Sequence, residues 1–185
     1  FSAFEPVIKE EIKHADELEP QFGVPLLGII PKVKKSKRVE HELGLLAVDD
    51  PRGSFAEAYR SMRTALQFST SDGAPSRLMV TSSVASEGKS TTALALAINF
   101  AQLGKRVLLI DADMRNPSLH KSLDLSNDRG LSNYLSGEGT RDSLIRPCSV
   151  PNLKVMTAGP MPPSPVDLLM GPRLLGLLDK AEELG

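Results

Sequence analysis

Two kinds of hydrophobic pattern alternate along the chain: short aliphatic runs, and longer stretches in which apolar residues recur with helical spacing. The short runs predict buried strands of a parallel sheet, because such strands are covered on both faces and are apolar throughout. They lie at residues 77–81, 106–111 and 153–157. A fourth run, at 24–30, contains Pro25, which has no N–H group to donate to a neighbouring strand, so we expect it at a sheet edge.

The stretches with helical spacing separate these runs. Residues 91–103 are rich in Ala and Leu and are followed by Gly104, which predicts a helix and its C-terminal end. Ser54 and Glu57 have the spacing of a capping box, so we expect a helix from residue 54 to about residue 67. Further helices are predicted at 5–22, 129–137, 166–170 and 173–184, the last two separated by Gly171-Pro172. This alternation of strands and helices predicts an α/β fold.

Composition narrows the possible classes. The net charge of −1 gives no overall field that would attract nucleic acid. Cys148 is the only cysteine, which excludes an internal disulfide and fits a reducing compartment. His14, His41 and His120 lack the spacing of zinc ligands, and no apolar run is long enough to span a bilayer. Composition therefore gives no indication of nucleic-acid binding, of a zinc site or of a membrane span.

Residues 83–90 match the phosphate-loop pattern G-x-x-x-x-G-K-[ST], except that Ser83 stands where the first Gly is expected. The loop joins a predicted strand to a predicted helix, so its N–H groups would bind phosphate at a helix N-terminus. Gly88 has no side chain to collide or to strain the turn, Lys89 supplies a positive charge, and Ser90 supplies a hydroxyl for Mg²⁺. We therefore predict a magnesium–nucleotide site with these loop residues: Ala85, Ser86, Glu87, Gly88, Lys89, Ser90 and Thr91.

Two acidic residues, Asp111 and Asp113, end the predicted strand at 106–111. A right-handed crossover through the intervening helix would run this strand parallel to 77–81 and bring Asp111 beside the phosphate loop. One carboxylate could hold the metal and the other could accept a proton. We favour Asp111 as a metal ligand or general base, and Asp113 as a metal ligand or as a residue that supports the metal ligands. The two roles could be reversed.

Two charged stretches have open interpretations. Residues 32–38 contain five cations, which form either a solvated loop or a contact with anionic lipid. Glu57, Arg60 and Arg63 recur every three residues and share one helix face, where they either support the helix or contact another subunit. Residues 39–53 read as a linker, so we divide the chain into a leading segment at 1–53 and a domain at 54–185.

The motifs together resemble the bacterial tyrosine kinases of capsule and exopolysaccharide export, over residues 24–185. The resemblance is carried by residues 83–92, 107–117, 129–137, the loop Ala-Gly-Pro-Met-Pro-Pro-Ser-Pro at 158–165 and Glu57-Ala-Tyr-Arg-Ser-Met-Arg63. It implies a three-layer sandwich of the P-loop NTPase type, with a mainly parallel central sheet flanked by helices. It also implies ATP- and Mg²⁺-dependent phosphoryl transfer to protein tyrosine.

Further roles follow only from the resemblance. Lys89, Asp111 and Asp113 would be catalytic, and Ser90, Asp111 and Asp113 would hold the metal. Glu57, Arg60 and Arg63 would assemble the chain into a ring-like homo-oligomer. The partners would be a membrane-spanning polysaccharide co-polymerase, tyrosine substrates and a cognate phosphatase, at the cytoplasmic face of the bacterial inner membrane.

Two features of the family lie outside residues 1–185, and two other classes of protein remain as alternatives. The family also has a strand that ends in a metal-site Asp and a tyrosine-rich tail, neither of which is found in residues 1–185, so we expect a longer protein. One alternative is a partitioning-type ATPase, but that class carries a signature Lys where this chain has Val84. Another is a non-catalytic module that binds nucleotide and gates assembly.

Overall fold

A computed structural model describes residues 17–33, 40–71 and 73–182 of the 185-residue chain. The α-helices in this part of the chain are α1 Leu18–Phe22, α2 Leu46–Asp49, α3 Ser54–Gln67, α4 Lys89–Gln102, α5 Leu119–Ser122, α6 Leu131–Ser136, α7 Arg141–Leu144, α8 Pro165–Met170 and α9 Pro172–Glu182. A 3-10 helix, Glu40–Leu45, leads into α2. The strands are β1 Val107–Ile110, β2 Arg146–Pro147 and β3 Leu153–Met156.

The strands form one sheet in the order β1-β3-β2. β1 runs parallel to β3, with Val107 opposite Leu153 and Ile110 opposite Met156, whereas the short β2 runs antiparallel to β3. The strands expected at 106–111 and 153–157 are therefore confirmed. β2 has no apolar pattern and was not anticipated.

Two hydrophobic clusters cover opposite faces of the sheet, because successive side chains of a strand point to opposite sides. Leu109 and Val155 belong to the cluster under α3 and α4, whereas Ile110 and Met156 belong to the cluster under α6 and α9. Helices thus flank the sheet on both faces. The expected α/β three-layer sandwich is confirmed.

The run at 77–81, expected as a buried strand parallel to β1, has no strand structure. Leu78 is 48% exposed and Met79 is 86% exposed. A strand exists only where another strand pairs with its N–H and C=O groups, and within the described residues none pairs with this segment. The edge strand expected at 24–30 is wrong for the same reason, since those residues are neither helix nor strand.

The linker expected at 39–53 is wrong for residues 40–49, which are helical and packed. Ala47 is 2% exposed and joins the cluster that contains Leu94. A Cβ on Gly44 would come within 2.7 Å of a Leu94 methyl group, so the 3-10 helix lies directly on α4. The division of the chain at residue 53 stays a prediction.

Several expected helix boundaries are confirmed. α4 is followed by Gly104 at a left-handed φ of 79°, and α6 is closed by Gly137 at 88°. Gly171 ends α8, and Pro172 begins α9. The helix expected at 5–22 lies mostly outside the described residues, and α1 is the part of it that is described. Of the basic stretch 32–38, the structure describes residues 32 and 33.

The helix expected at 54–67 is confirmed as α3, but its capping box is not formed. Gly53, not Ser54, occupies the N-cap position, and the Glu57 carboxylate accepts hydrogen bonds from Arg60 instead. The expected pattern therefore marked the start of the helix without providing the cap.

Candidate phosphate-binding and acidic site

The phosphate loop enters α4 through a left-handed turn at Gly88, whose φ is 91°. A Cβ at Gly88 would meet nothing within 4 Å, so this position favours glycine because of its backbone conformation rather than a steric contact. Ser86 also has a positive φ, of 65°. The loop residues Ala85, Ser86 and Glu87 are exposed to solvent, where a ligand can reach them.

The first turn of α4 presents its amide groups at the end of the loop. The first hydrogen bond of the helix joins the N–H of Thr92 to the carbonyl of Gly88 at 2.8 Å. The N–H groups that precede Thr92 have no carbonyl partner within a helix, as at any helix N-terminus. The amides of Lys89, Ser90 and Thr91 are thus suited to bind phosphate oxygens.

Glu87 stabilises the start of the phosphate loop, a role that the sequence did not predict. One of its carboxylate oxygens accepts the N–H of Ser83 at 2.9 Å and the N–H of Val84 at 3.2 Å. Ser83 is the residue that stands where the phosphate-loop pattern has its first Gly. The carboxylate therefore fixes the first turn of a loop that lacks this Gly. The only sequence signal was an acidic residue four positions after Ser83.

The acidic pair lies beside the loop, as expected. The Nζ atom of Lys89 lies 2.5 Å from a carboxylate oxygen of Asp113, although the residues are 24 positions apart. The other oxygen of Asp113 accepts the N–H of Asn116 at 3.0 Å. Burial disfavours the charged form of Asp113, but the hydrogen bonds from Lys89 and Asn116 and the charge of Lys89 outweigh it and lower the Asp113 pKa.

Asp111 is held more rigidly and is only 4% exposed. Its carboxylate accepts the N–H of Asp113 at 3.1 Å and the N–H groups of Ser118 and Leu119, both at 3.2 Å. Burial raises the Asp111 pKa, and these hydrogen bonds only partly oppose the rise. Asp111 therefore organises the backbone that follows β1, a contribution that the sequence did not reveal.

The oxygen atoms at this sheet edge fit a magnesium ion better than a metal held by protein alone. In the described part of the chain, no three His, Cys, Asp or Glu residues are grouped so as to hold a metal. Mg²⁺ usually keeps several waters and binds one or two carboxylates together with substrate phosphates. Two carboxylates and the Ser90 hydroxyl supply that kind of oxygen donor set.

The three charged residues of α3 do not form one continuous stripe. Glu57 and Arg60 form an exposed ion pair at 2.5 Å, and Arg60 also donates to the carbonyl of Pro51 at 2.6 Å. Arg63 turns towards α4, where its guanidinium donates to the carbonyl of Asn99 at 3.5 Å. The structure thus separates Arg63 from the exposed pair.

Comparisons with known proteins identify the class to which the chain is similar. Residues 74–180 match the ParA family model, described as NUBPL iron-transfer P-loop NTPase. Tyrosine-protein kinase YwqD of Bacillus subtilis is 38% identical over 137 residues, which are 74% of this chain and 58% of that protein. Putative tyrosine-protein kinase CapB of Staphylococcus aureus is 38% identical over 121 residues, 65% of this chain and 53% of that protein.

A solved structure extends the similarity to the fold. The kinase domain of Escherichia coli tyrosine kinase ETK superposes with a TM-score of 0.81 at 31% identity, covering 94% of this chain and 70% of that chain. The present chain spans somewhat more than half the length of the two curated relatives. Relatives named as tyrosine kinases favour the kinase hypothesis over the partitioning ATPase.

Proposed function

The chain belongs to the ParA family of P-loop NTPases and to the bacterial tyrosine kinases, and from this premise we propose that it transfers the γ-phosphoryl group of ATP to protein tyrosine. The observation that carries the proposal is the contact between Lys89 and Asp113 at 2.5 Å. It joins the phosphate loop to the acidic strand end, so the phosphate-binding groups and the carboxylates would meet on one bound nucleotide.

Each part of the site has a role in this reaction. The amides at the start of α4 and the Lys89 ammonium group would bind the phosphates, since phosphoryl transfer depends mainly on positioning and charge stabilisation. Lys89 would leave Asp113 for the phosphates, and Asp113 would then be free to join Ser90 in holding magnesium. When bound, the magnesium ion supplies positive charge to the phosphate oxygens.

The two carboxylates differ in exposure, and this difference suggests their roles. Asp113 is about a quarter exposed, with 23% of its side chain accessible, and can change partners without unfolding the chain. Asp111 is bound by three backbone amides and would have to stay in place. We assign Asp113 to the metal and Asp111 to positioning, with proton acceptance or a further metal contact as its chemical role.

The test is incubation of the protein with labelled ATP, Mg²⁺ and a tyrosine-containing acceptor peptide, followed by detection of phosphotyrosine. The acceptor is needed because the chain has only two tyrosines, and Tyr59 is buried. Lys89→Met should abolish labelling, because the charge that binds the phosphates is lost. Lys105→Met is the matched control, since Lys105 is exposed just after α4 and away from the loop, and should leave labelling unchanged. Phosphate release without labelled protein would indicate a partitioning-type ATPase, and nucleotide binding without either product would indicate an assembly module.

The cellular setting is proposed on the same premise. We propose that the chain regulates polymerisation or export of capsular or exopolysaccharide at the cytoplasmic face of the bacterial inner membrane. Its partners would be a membrane-spanning polysaccharide co-polymerase part and a cognate phosphatase. Within the described residues, no helix is long and apolar enough to cross a bilayer.

Self-assembly into a ring is proposed through α3. The exposed Glu57–Arg60 pair supports it, since 65% of the Glu57 side chain and 35% of the Arg60 side chain are accessible. An exposed intrahelical pair contributes only about 0.2–0.5 kcal/mol to stability, so Glu57 can exchange its partner for another subunit at little cost. Arg60 would also have to give up its hydrogen bond to the carbonyl of Pro51. Arg63 would have to turn away from α4 to take part.

A further inference from the structure

Tyr59 links the surface helix α3 to the phosphate-loop helix α4. It is only 1% exposed, and its hydroxyl shares a hydrogen bond of 2.9 Å with the Oγ1 atom of Thr92. The Tyr59 ring packs edge-on against Phe55, with ring centroids 4.9 Å apart. The hydroxyl therefore reaches α4 from a fixed direction.

Thr92 occupies a sensitive place in α4, because its N–H closes the first helical turn on the carbonyl of Gly88. A threonine hydroxyl inside a helix commonly donates to the carbonyl four residues earlier, which for Thr92 is this same carbonyl of Gly88. The Tyr59 hydroxyl gives Thr92 another partner. The hydrogen bond to Tyr59 also ties the first turn of α4 to α3, so without it this turn and the left-handed turn at Gly88 would be held less firmly.

We propose that Tyr59 is a positioning residue for the nucleotide, which holds the first turn of α4 through Thr92. The inference rests on the proposed binding of ATP. Tyr59 is buried and is not one of the groups proposed to bind the nucleotide, so its effect would pass through the Thr92 hydroxyl. Burial raises the pKa of Tyr59, so the hydroxyl keeps its proton throughout the physiological pH range.

Calorimetric titration with magnesium–ATP tests the proposal. Tyr59→Phe should weaken binding by about 2- to 13-fold, the range that corresponds to one neutral hydrogen bond. Thr92→Val should have a similar effect, whereas Thr92→Ser keeps the hydroxyl and should restore affinity. The double variant Tyr59→Phe/Thr92→Val should bind no more weakly than either single variant, because both remove the same interaction.

Tyr134→Phe is the matched control. Tyr134 is the only other tyrosine in the chain, lies in α6 and contacts Arg173 through its ring. It belongs to the cluster on the opposite face of the sheet, so removal of its hydroxyl should leave ATP affinity unchanged. Light scattering on the same samples should give one mass for all variants, because the Glu57–Arg60 pair is untouched.

The outcomes separate a failure of the proposed ATP binding from a failure of the role given to Tyr59. If the unmodified chain does not bind ATP, the proposed function is wrong and the inference falls with it. If the chain binds ATP and Tyr59→Phe binds equally well, only the inference is wrong. Additive losses in the double variant, or a loss of thermal stability without a loss of affinity, would also overturn it by reducing Tyr59 to a packing residue.

Discussion

Gly130 lies where the start of α6 meets the chain just beyond β3, and its replacement by alanine should destabilise the protein strongly. A Cβ at Gly130 would lie 2.0 Å from the carbonyl oxygen of Thr157 and 2.5 Å from the nitrogen of Gly159. The φ of Gly130 is −172°, an extended conformation open to any residue, so the penalty is steric. Both contacts are with backbone atoms, which cannot rotate away as a side chain can.

The magnitude follows from the hydrogen bonds that hold α6 in place. Leu131 donates to the carbonyl of Thr157 at 2.8 Å, and Ser132 donates to the carbonyl of Ala158 at 2.9 Å. Relieving the clash requires a separation of about 1 Å, which stretches both bonds beyond hydrogen-bonding distance. Each buried group left unpaired costs about 1–3 kcal/mol, so Gly130→Ala should lower the free energy of unfolding by about 2–6 kcal/mol.

Urea unfolding measures this loss. Gly176→Ala is the matched control, because Gly176 lies inside α9 and a Cβ there meets nothing within 4 Å. This control should stabilise the protein by about 0.5–1 kcal/mol, the usual gain when alanine replaces glycine in a helix. A Gly130→Ala variant within about 0.5 kcal/mol of the unmodified protein, the range typical of surface substitutions, would refute the steric argument.

Two further predictions concern charged side chains. Replacing Arg60 and Arg63 together by alanine should lower the mass of the assembly measured by light scattering. Arg141→Ala, which breaks the ion pair with Asp142, is the control and should leave the mass unchanged. An unchanged mass for the double variant would show that the ring proposal is wrong. The lowered pKa of Asp113 means that its carboxylate contributes stability above its ordinary pKa of about 3.9, and this contribution disappears as the pH falls through the lowered value. Asp113→Asn should therefore be less stable than the unmodified protein near pH 7 and approach it in acid, as followed by urea unfolding; a constant difference between pH 3 and pH 7 would contradict this linkage.

The local elements could be predicted from sequence because the residues that define them are neighbours in the chain. α4 is set by its Ala- and Leu-rich composition and ends just before Gly104 in a left-handed turn. Parallel β1 and β3 follow from their aliphatic runs. The meeting of Lys89 with Asp113 was also predicted, from a strand–helix–strand unit. The first strand of that unit, at 77–81, is not formed, and the packing of α4 on β1 is what brings the loop and the strand end together.

Other features depended on residues far apart in the chain. Residues 77–81 have an apolar pattern typical of a strand but pair with no strand in the described part of the chain, because a ladder needs a partner that no local pattern specifies. Residues 40–49 read as a linker, yet Ala47 is buried because α4 offers a surface to cover. Strand pairing and burial both depend on parts of the chain that are distant in sequence, so the two incorrect predictions have the same cause.

The chain by itself determined the kind of site: a phosphate loop at a helix start, and two carboxylates after a strand. How the site is held depends on packing between distant parts of the chain. The tertiary structure directed Glu87 onto the amides of the loop, enclosed Asp111 among three backbone N–H groups and brought the Tyr59 hydroxyl to Thr92. Such contacts escape a reading of the sequence because their energies depend on distances of a few tenths of an ångström, which are fixed only when every layer of the fold has packed.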